Sequence, residues 1–170
     1  LFRRTPRFLD RLWDSPRVIS AFANRAVSTD ASQLGDLTIS MLEGERGVLR
    51  KEFEKLLDWM RDEPVPDVIN LPNSLLIALA TPLKRAVGRP ICCTLQGEDL
   101  FLEHLPEPWK TQSLELIRAS VKDVDVFIAV SEYYVDFMSR YLGIPHDKIR
   151  VVPLGINLDG HAPKAPKATP

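Results

Sequence analysis

Ile91-Cys92-Cys93-Thr94-Leu95-Gln96-Gly97-Glu98-Asp99-Leu100-Phe101 is the stretch from which the fold is read. The run Ile91 to Leu95 is apolar or small and reads as a buried strand. It breaks at once into a polar loop carrying a glycine and two carboxylates. In an open α/β sheet, ligands sit just outside the carboxyl ends of the strands. Chemistry is therefore expected on the loop that starts at Gln96.

On both sides of this stretch, strand and helix alternate. Asp67 to Leu71 reads as a strand, and Pro72-Asn73-Ser74 as a turn with Asn73 or Ser74 capping a helix through Leu76, Leu79 and Leu83. Thr111 to Asp123 places Leu114, Ile117 and Val121 on one helical side. Val126 to Val130 is a third strand, running into Ser131 as N-cap of a helix over Glu132 to Leu142. Gly143 stands at the C-terminal cap position with Pro145 just beyond. Ile149 to Val152 is the last strand. Nearly continuous apolar strands separated by helices predict an α/β fold, a Rossmann-like parallel sheet with helices on both faces.

Upstream, Leu49, Phe53, Leu56, Leu57 and Met60 form one apolar stripe on a helix that Pro64 and Pro66 end. A polar loop over Val27 to Gly35 and a short helix over Asp36 to Leu42 are expected ahead of it. Leu1 to Ala26 is rich in arginine and apolar residues and is broken by Pro6 and Pro16 into short helical pieces. The organisation expected is a helical segment over 1–62 belonging to the same domain, a Rossmann-like α/β unit over 63–160, and a Pro/Ala/Lys-rich linker or disordered tail over 161–170.

Composition narrows the function. The chain has 170 residues, 45% hydrophobic and 26% charged, with a net charge of -1. No basic field is available to hold nucleic acid. No apolar run approaches the roughly 20 residues of a membrane span. Arg3, Arg4, Arg7 and Arg11 alternate with Asp10 and Asp14 and are followed by no apolar signal core, which favours a water-facing helix over an export signal or a membrane contact. A cytoplasmic chain is expected, with peripheral membrane contact through this arginine-rich start as the alternative. The first residue is Leu1, so residues ahead of it are expected to have been lost or removed. Cys92 and Cys93 are adjacent in a strand, point to opposite faces and read as free thiols in a reducing compartment. His104, His146 and His161 lack metal-ligand spacing, and no metal site is expected.

Four parallel strands would deliver Pro72-Asn73-Ser74, Gln96-Gly97-Glu98-Asp99, Ser131-Glu132-Tyr133-Tyr134 and Gly155-Ile156-Asn157 to one rim. Hydroxyl-rich ligands need many hydrogen-bond partners, and this rim offers them. Gly97 allows close backbone approach; Glu98 and Asp99 can accept from sugar hydroxyls; Asn73 and Ser131 can support a hydroxyl or anion, or merely cap helices. Of Tyr133 and Tyr134, only one can face the core. G-x-G-x-x-G, G-x-x-x-x-G-K-[ST] and G-x-S-x-G are all absent, which disfavours a dinucleotide-dependent oxidoreductase, an ordinary nucleoside triphosphate site and a serine hydrolase.

Pro66 to Ser74, Thr94 to Asp99, Asp125 to Ser131 and Val151 to Asn157 together resemble, in order and spacing, the amino-terminal domain of a group 1 (family four) glycosyltransferase. The resemblance implies a GT-B architecture of two Rossmann-like domains across a cleft. It implies sugar transfer from a nucleotide sugar to an acceptor with retention of configuration, with no catalytic metal and no cofactor. The amino-terminal domain chiefly holds the acceptor. Gln96 stands where the family commonly has histidine, so it can hydrogen-bond but not titrate. Gln96 and Asp99 are the expected catalytic-site residues. Asn73, Gly97, Glu98, Ser131, Tyr134 and Asn157 are the expected substrate contacts, with Gly155 and Asn157 leading to the hinge. The family's first Gly-rich loop and its nucleotide-binding domain are expected to be missing from the sequence; the Glu-x7-Glu spacing of Glu107 and Glu115 falls within the amino-terminal-type domain and is not read as that domain's motif. The expectation is thus an incomplete amino-terminal half of a GT-B fold, needing its carboxy-terminal domain as partner and inactive alone. The alternative is a non-catalytic sugar- or partner-binding module.

Overall fold

A computed structural model describes residues 31–155. The helical pieces expected within Leu1 to Ala26, the linker over 161–170, and Ile156 and Asn157 at the rim lie outside the described residues.

The chain enters α1 (Ala31–Leu42), passes a 3-10 turn and continues into α2 (Arg50–Asp62). Of the stripe on α2, Phe53 and Leu57 are buried, and Leu49, Leu56 and Met60 pack beside them. Glu63 leaves the helix in extended conformation, the geometry required of a residue before Pro64. Then follow β1 (Ile69–Leu71), a 3-10 segment (Ser74–Leu79) and α3 (Ala80–Val87). β2 (Ile91–Thr94) leads to α4 (Glu98–Glu103) and α5 (Trp109–Ser120). β3 (Val126–Ala129), α6 (Glu132–Leu142) and β4 (Ile149–Val151) complete the described fold.

The four strands form one parallel sheet in the order β1-β2-β3-β4. Leu71, Cys93, Phe127 and Ile149 stand in register across it and are all buried. Their neighbours on the other face, Asn70, Cys92, Thr94, Val126, Ile128 and Arg150, are half-buried or exposed. Helices on both faces were expected; among the described residues the burial is one-sided. The strand order explains this. A parallel sheet that always advances in one direction, with right-handed crossovers, carries every connection over the same face.

Besides the helix expected through Leu76, Leu79 and Leu83, which is a 3-10 segment up to Leu79 and α-helical only from Ala80, two elements differ from expectation. α1 begins at Ala31, so Ser32 to Gly35 are helical and not part of a polar loop. Gly35 is there because α1 lies against Trp109 of α5: a Cβ on Gly35 would fall 2.3 Å from the indole. Trp109 Nε1 also donates to the Asp36 carboxylate at 2.8 Å. A glycine inside a helix costs about 1 kcal/mol relative to alanine, but here only a residue without a side chain admits the ring.

The second difference is α4, which replaces most of the polar loop expected after β2. Gly97 adopts the left-handed conformation (φ 91°) and reverses the chain, so that Glu98 and Asp99 form the first turn of a helix. Carboxylates there complement the helix dipole. Leu102 on the same helix is fully buried and anchors it.

α6 follows the expected bounds. Ser131 Oγ accepts the Tyr134 N–H at 3.2 Å, and Gly143 closes the helix in the left-handed conformation (φ 68°). Lys148 Nζ donates to the carbonyls of Val121, Lys122 and Val124 and ties the start of β4 to the turn ahead of β3.

Candidate functional site

The carboxyl ends of β1, β2 and β3 bring Asn73, the Gln96–Asp99 segment and the Ser131–Tyr134 segment together, and three sets of hydrogen bonds fix them. Gln96 is exposed, and its side-chain amide donates to the Pro72 carbonyl across the rim. Its Oε1 is left to accept from a ligand. Below it, the Thr94 hydroxyl donates to Asn70 Oδ1 at 3.0 Å.

Glu98 is 5% exposed. One carboxylate oxygen accepts the Ser74 N–H at 3.0 Å and the other the Gln96 N–H at 2.7 Å. Bonds from N–H groups to an ionised acceptor are about twice as strong as neutral ones. This side chain thus holds the turn after β1 to the turn after β2. It lies beneath the rim, braced on backbone, where the sequence reading had it facing substrate.

Asp99 is half-buried and accepts the Tyr134 hydroxyl at 2.7 Å through Oδ1. The same hydroxyl accepts the Gly97 N–H at 2.9 Å. Burial, and then the Asp99 carboxylate, push the Tyr134 phenol well up from its ordinary value, so it stays a neutral donor. Asp99 is oriented by this bond and keeps Oδ2 for another donor. Further along the same two helices, the Tyr141 hydroxyl donates to Glu103 at 2.9 Å. Two tyrosine–carboxylate pairs therefore join α6 to α4.

Asn73 and Ser131 both act as caps. The Asn73 side chain accepts the Leu75 N–H at 3.1 Å, and Ser131 Oγ accepts the Tyr134 N–H. Both are half-buried. Gly155 is exposed beyond β4. Asn70, Thr94 and the Pro72 carbonyl were missed at the sequence level. Asn70 and Thr94 were read only as strand residues, and no side-chain pattern announces a carbonyl.

His104 lies against the Leu100 carbonyl and His146 against Asp136 at 3.1 Å. Among the described residues, no three His, Cys, Asp or Glu side chains are grouped to hold a metal ion, and no helix is long and apolar enough to cross a membrane. Two surface grooves lie elsewhere. One, between α2 and α3, is lined by Glu45, Asp58, Arg61 and Arg85; the other is lined by Lys84, Arg85, Lys122 and Asp123. Their charges are largely paired, Arg85 with Glu45 at 2.6 Å, Arg61 with Asp58 at 2.6 Å and Lys84 with Asp125 at 2.7 Å. The rim offers exposed polar groups where the grooves offer neutralised ones, and the rim is the better candidate.

In chemical terms the rim is a hydrogen-bonding edge. It presents an amide, a positioned carboxylate and backbone groups, with no titrating imidazole and no thiol nucleophile. Such an edge can bind and orient hydroxyls. A family model described as Glycosyltransferase Family 4 matches residues 33–159, which include the whole rim. No curated protein matches the chain.

Proposed function

The chain belongs to glycosyltransferase family 4, and from that premise we propose that its rim is the acceptor side of a sugar-transfer site. In this reading a nucleotide sugar is the donor and configuration is retained without a catalytic metal. The bond from the anomeric carbon to the leaving phosphate oxygen breaks, and a bond to an acceptor hydroxyl forms on the same face. The acceptor's proton leaves with the phosphate oxygen.

The observation that carries the proposal is the convergence of Gln96, Asp99 and Tyr134. The Gln96 amide is exposed and anchored to Pro72, and the Asp99 carboxylate is held at 2.7 Å by a phenol that does not ionise near neutral pH. Asp99 accepts from a sugar hydroxyl, and Gln96 both accepts and donates. Gly97 and Asn73 shape the edge, Ser131 sets the start of α6, Glu98 braces the two turns, and Asn157 remains a candidate contact by resemblance.

Positioning donor and acceptor together supplies much of the rate of a two-substrate reaction. In this reading the donor phosphates are held by a second, nucleotide-binding domain, as the family resemblance implies. We place the activity on the cytoplasmic side. The test is transfer of radiolabel from UDP-glucose, UDP-N-acetylglucosamine and GDP-mannose to extracted cellular glycans and lipids. The 170-residue chain should transfer nothing, and the product of the whole open reading frame that encodes it should transfer from at least one donor. Turnover by the 170 residues alone overturns the acceptor-side assignment, and no transfer by either overturns the activity.

A further inference from the structure

Tyr133 is the feature of the rim that its hydrogen bonds leave unexplained. It follows the Ser131 cap by two residues, precedes Tyr134, and is 76% exposed. Its ring is nevertheless part of an ordered array. It lies 6.5 Å from Phe137 with the planes 10° apart, and Phe137 in turn lies within 15° of Tyr134 and 13° of Tyr141. Tyr134 and Tyr141 are locked to α4 by Asp99 and Glu103. Tyr133 is thus the open end of a set of near-parallel rings whose other members are held.

A flat ring already oriented is a good contact surface, because a tyrosine has few rotamers to lose on binding. A pyranose matches this arrangement. Its ring has a face of C–H groups and an edge of hydroxyls, and Tyr133 offers an aromatic face next in sequence to Tyr134, whose hydroxyl holds Asp99 at 2.7 Å. The neighbours of Tyr133 argue against an anionic headgroup. Glu132, the residue before it, is an exposed carboxylate, and Asp136, exposed on the same helix, lies against His146 at 3.1 Å. A neutral polyhydroxyl ligand meets no repulsion there.

We propose that Tyr133 is a stacking platform for a pyranose ring of the acceptor, and that the acceptor is therefore a glycan. The inference rests on the glycosyl-transfer reading of the rim and names its substrate class.

The test is saturation-transfer NMR on the 170-residue chain with methyl β-D-glucopyranoside and methyl α-D-mannopyranoside, and with hexyl phosphate as an anionic, acyclic comparator. Saturation of the aromatic protons should reach the C–H groups of at least one glycoside. An aromatic contact is worth about 0.5–1.5 kcal/mol, so Tyr133→Ala should weaken that glycoside about threefold to tenfold, while Tyr133→Phe stays within about twofold. Thermal melts of both variants check folding, which an exposed side chain should not disturb. No transfer to either glycoside, or tighter binding of hexyl phosphate, overturns the proposal. If Gln96→Ala weakens the glycoside and Tyr133→Ala does not, the platform falls and the rim stands as the acceptor site. If neither variant changes glycoside binding, both fall.

Discussion

The Tyr134 hydroxyl donates to Asp99 at 2.7 Å and accepts the Gly97 N–H at 2.9 Å, so one phenol fixes both the carboxylate of the rim and the glycine that turns the chain into α4. Tyr134→Phe removes both bonds and leaves the Gly97 N–H without its partner. A loss of about 1–2 kcal/mol in urea unfolding is expected for a hydrogen bond of this kind, with far-UV dichroism unchanged. A variant as stable as the parent removes Tyr134 from the architecture of the site.

The same pair sets a pH dependence. Burial and the Asp99 carboxylate push the Tyr134 phenol up, and burial and Glu103 do the same to Tyr141. A group whose folded value is raised contributes stability that is complete below its unfolded value, about 10 for tyrosine, and that is lost as pH rises through the folded one. The chain should therefore lose stability in the strongly alkaline range. Absorbance titration should show Tyr134 ionising at lower pH in Asp99→Asn than in the parent. An unchanged titration would mean that Asp99 does not govern this phenol.

Glu98 makes a different prediction, because both of its oxygens accept backbone N–H groups under the rim. Glu98→Gln turns an NH2 group toward one of these donors and should destabilise by about 1–3 kcal/mol. Glu98→Ala leaves both N–H groups buried without an acceptor and should be worse. If either substitution leaves the denaturation midpoint unmoved, the brace is not needed to hold the two turns.

At the opposite end of the sheet, Asp125 accepts the Ile91 N–H at 2.8 Å and the Lys84 ammonium at 2.7 Å. Burial raises this carboxyl, but Lys84, the Ile91 N–H and the Lys148 charge together hold it below the usual carboxylate range. A depressed carboxyl contributes stability above its unfolded value, near 3.9, and loses it as pH falls through the lower folded one. Asp125→Asn should cost about 1 kcal/mol at pH 7, a modest figure because the pair is largely solvated, and should narrow the gap to the parent below pH 4. A constant gap across that range would contradict the assignment.

Gly35→Ala should destabilise by about 1–3 kcal/mol, the usual cost of overpacking, because the added Cβ meets Trp109 at 2.3 Å. A shift in indole fluorescence should accompany the loss. A neutral or stabilising Gly35→Ala would place Trp109 elsewhere.

Much of the fold is legible in the sequence because local chemistry and tertiary structure agree there. Ser131 and Gly143 mark the ends of α6, and the apolar runs at Ile91, Val126 and Ile149 lie in the strands. α4 was hidden because six residues show too little periodicity, and its acidic first turn resembles a solvated loop. Gly35 read as a loop because its helical place depends on an indole 74 positions away, as the numbering shows. The one-sided burial of the sheet was also hidden. Strand composition reports whether a residue is apolar, while the face a connection crosses follows from strand order. Within the site, the cap roles of Asn73 and Ser131 were readable from residue type. The burial of Glu98 was not, since its partners are backbone groups of two separate turns.

The most direct test of the acceptor-site reading compares sugar transfer by the product of the whole open reading frame with that of its Gln96→Ala and Asp99→Ala variants, each checked by thermal melting. Loss of positioned hydrogen bonds at a reacting centre should lower turnover by at least about tenfold, equivalent to about 1.4 kcal/mol, with melting temperatures close to the parent. Full turnover in both folded variants would contradict the account and remove the rim from the transfer reaction.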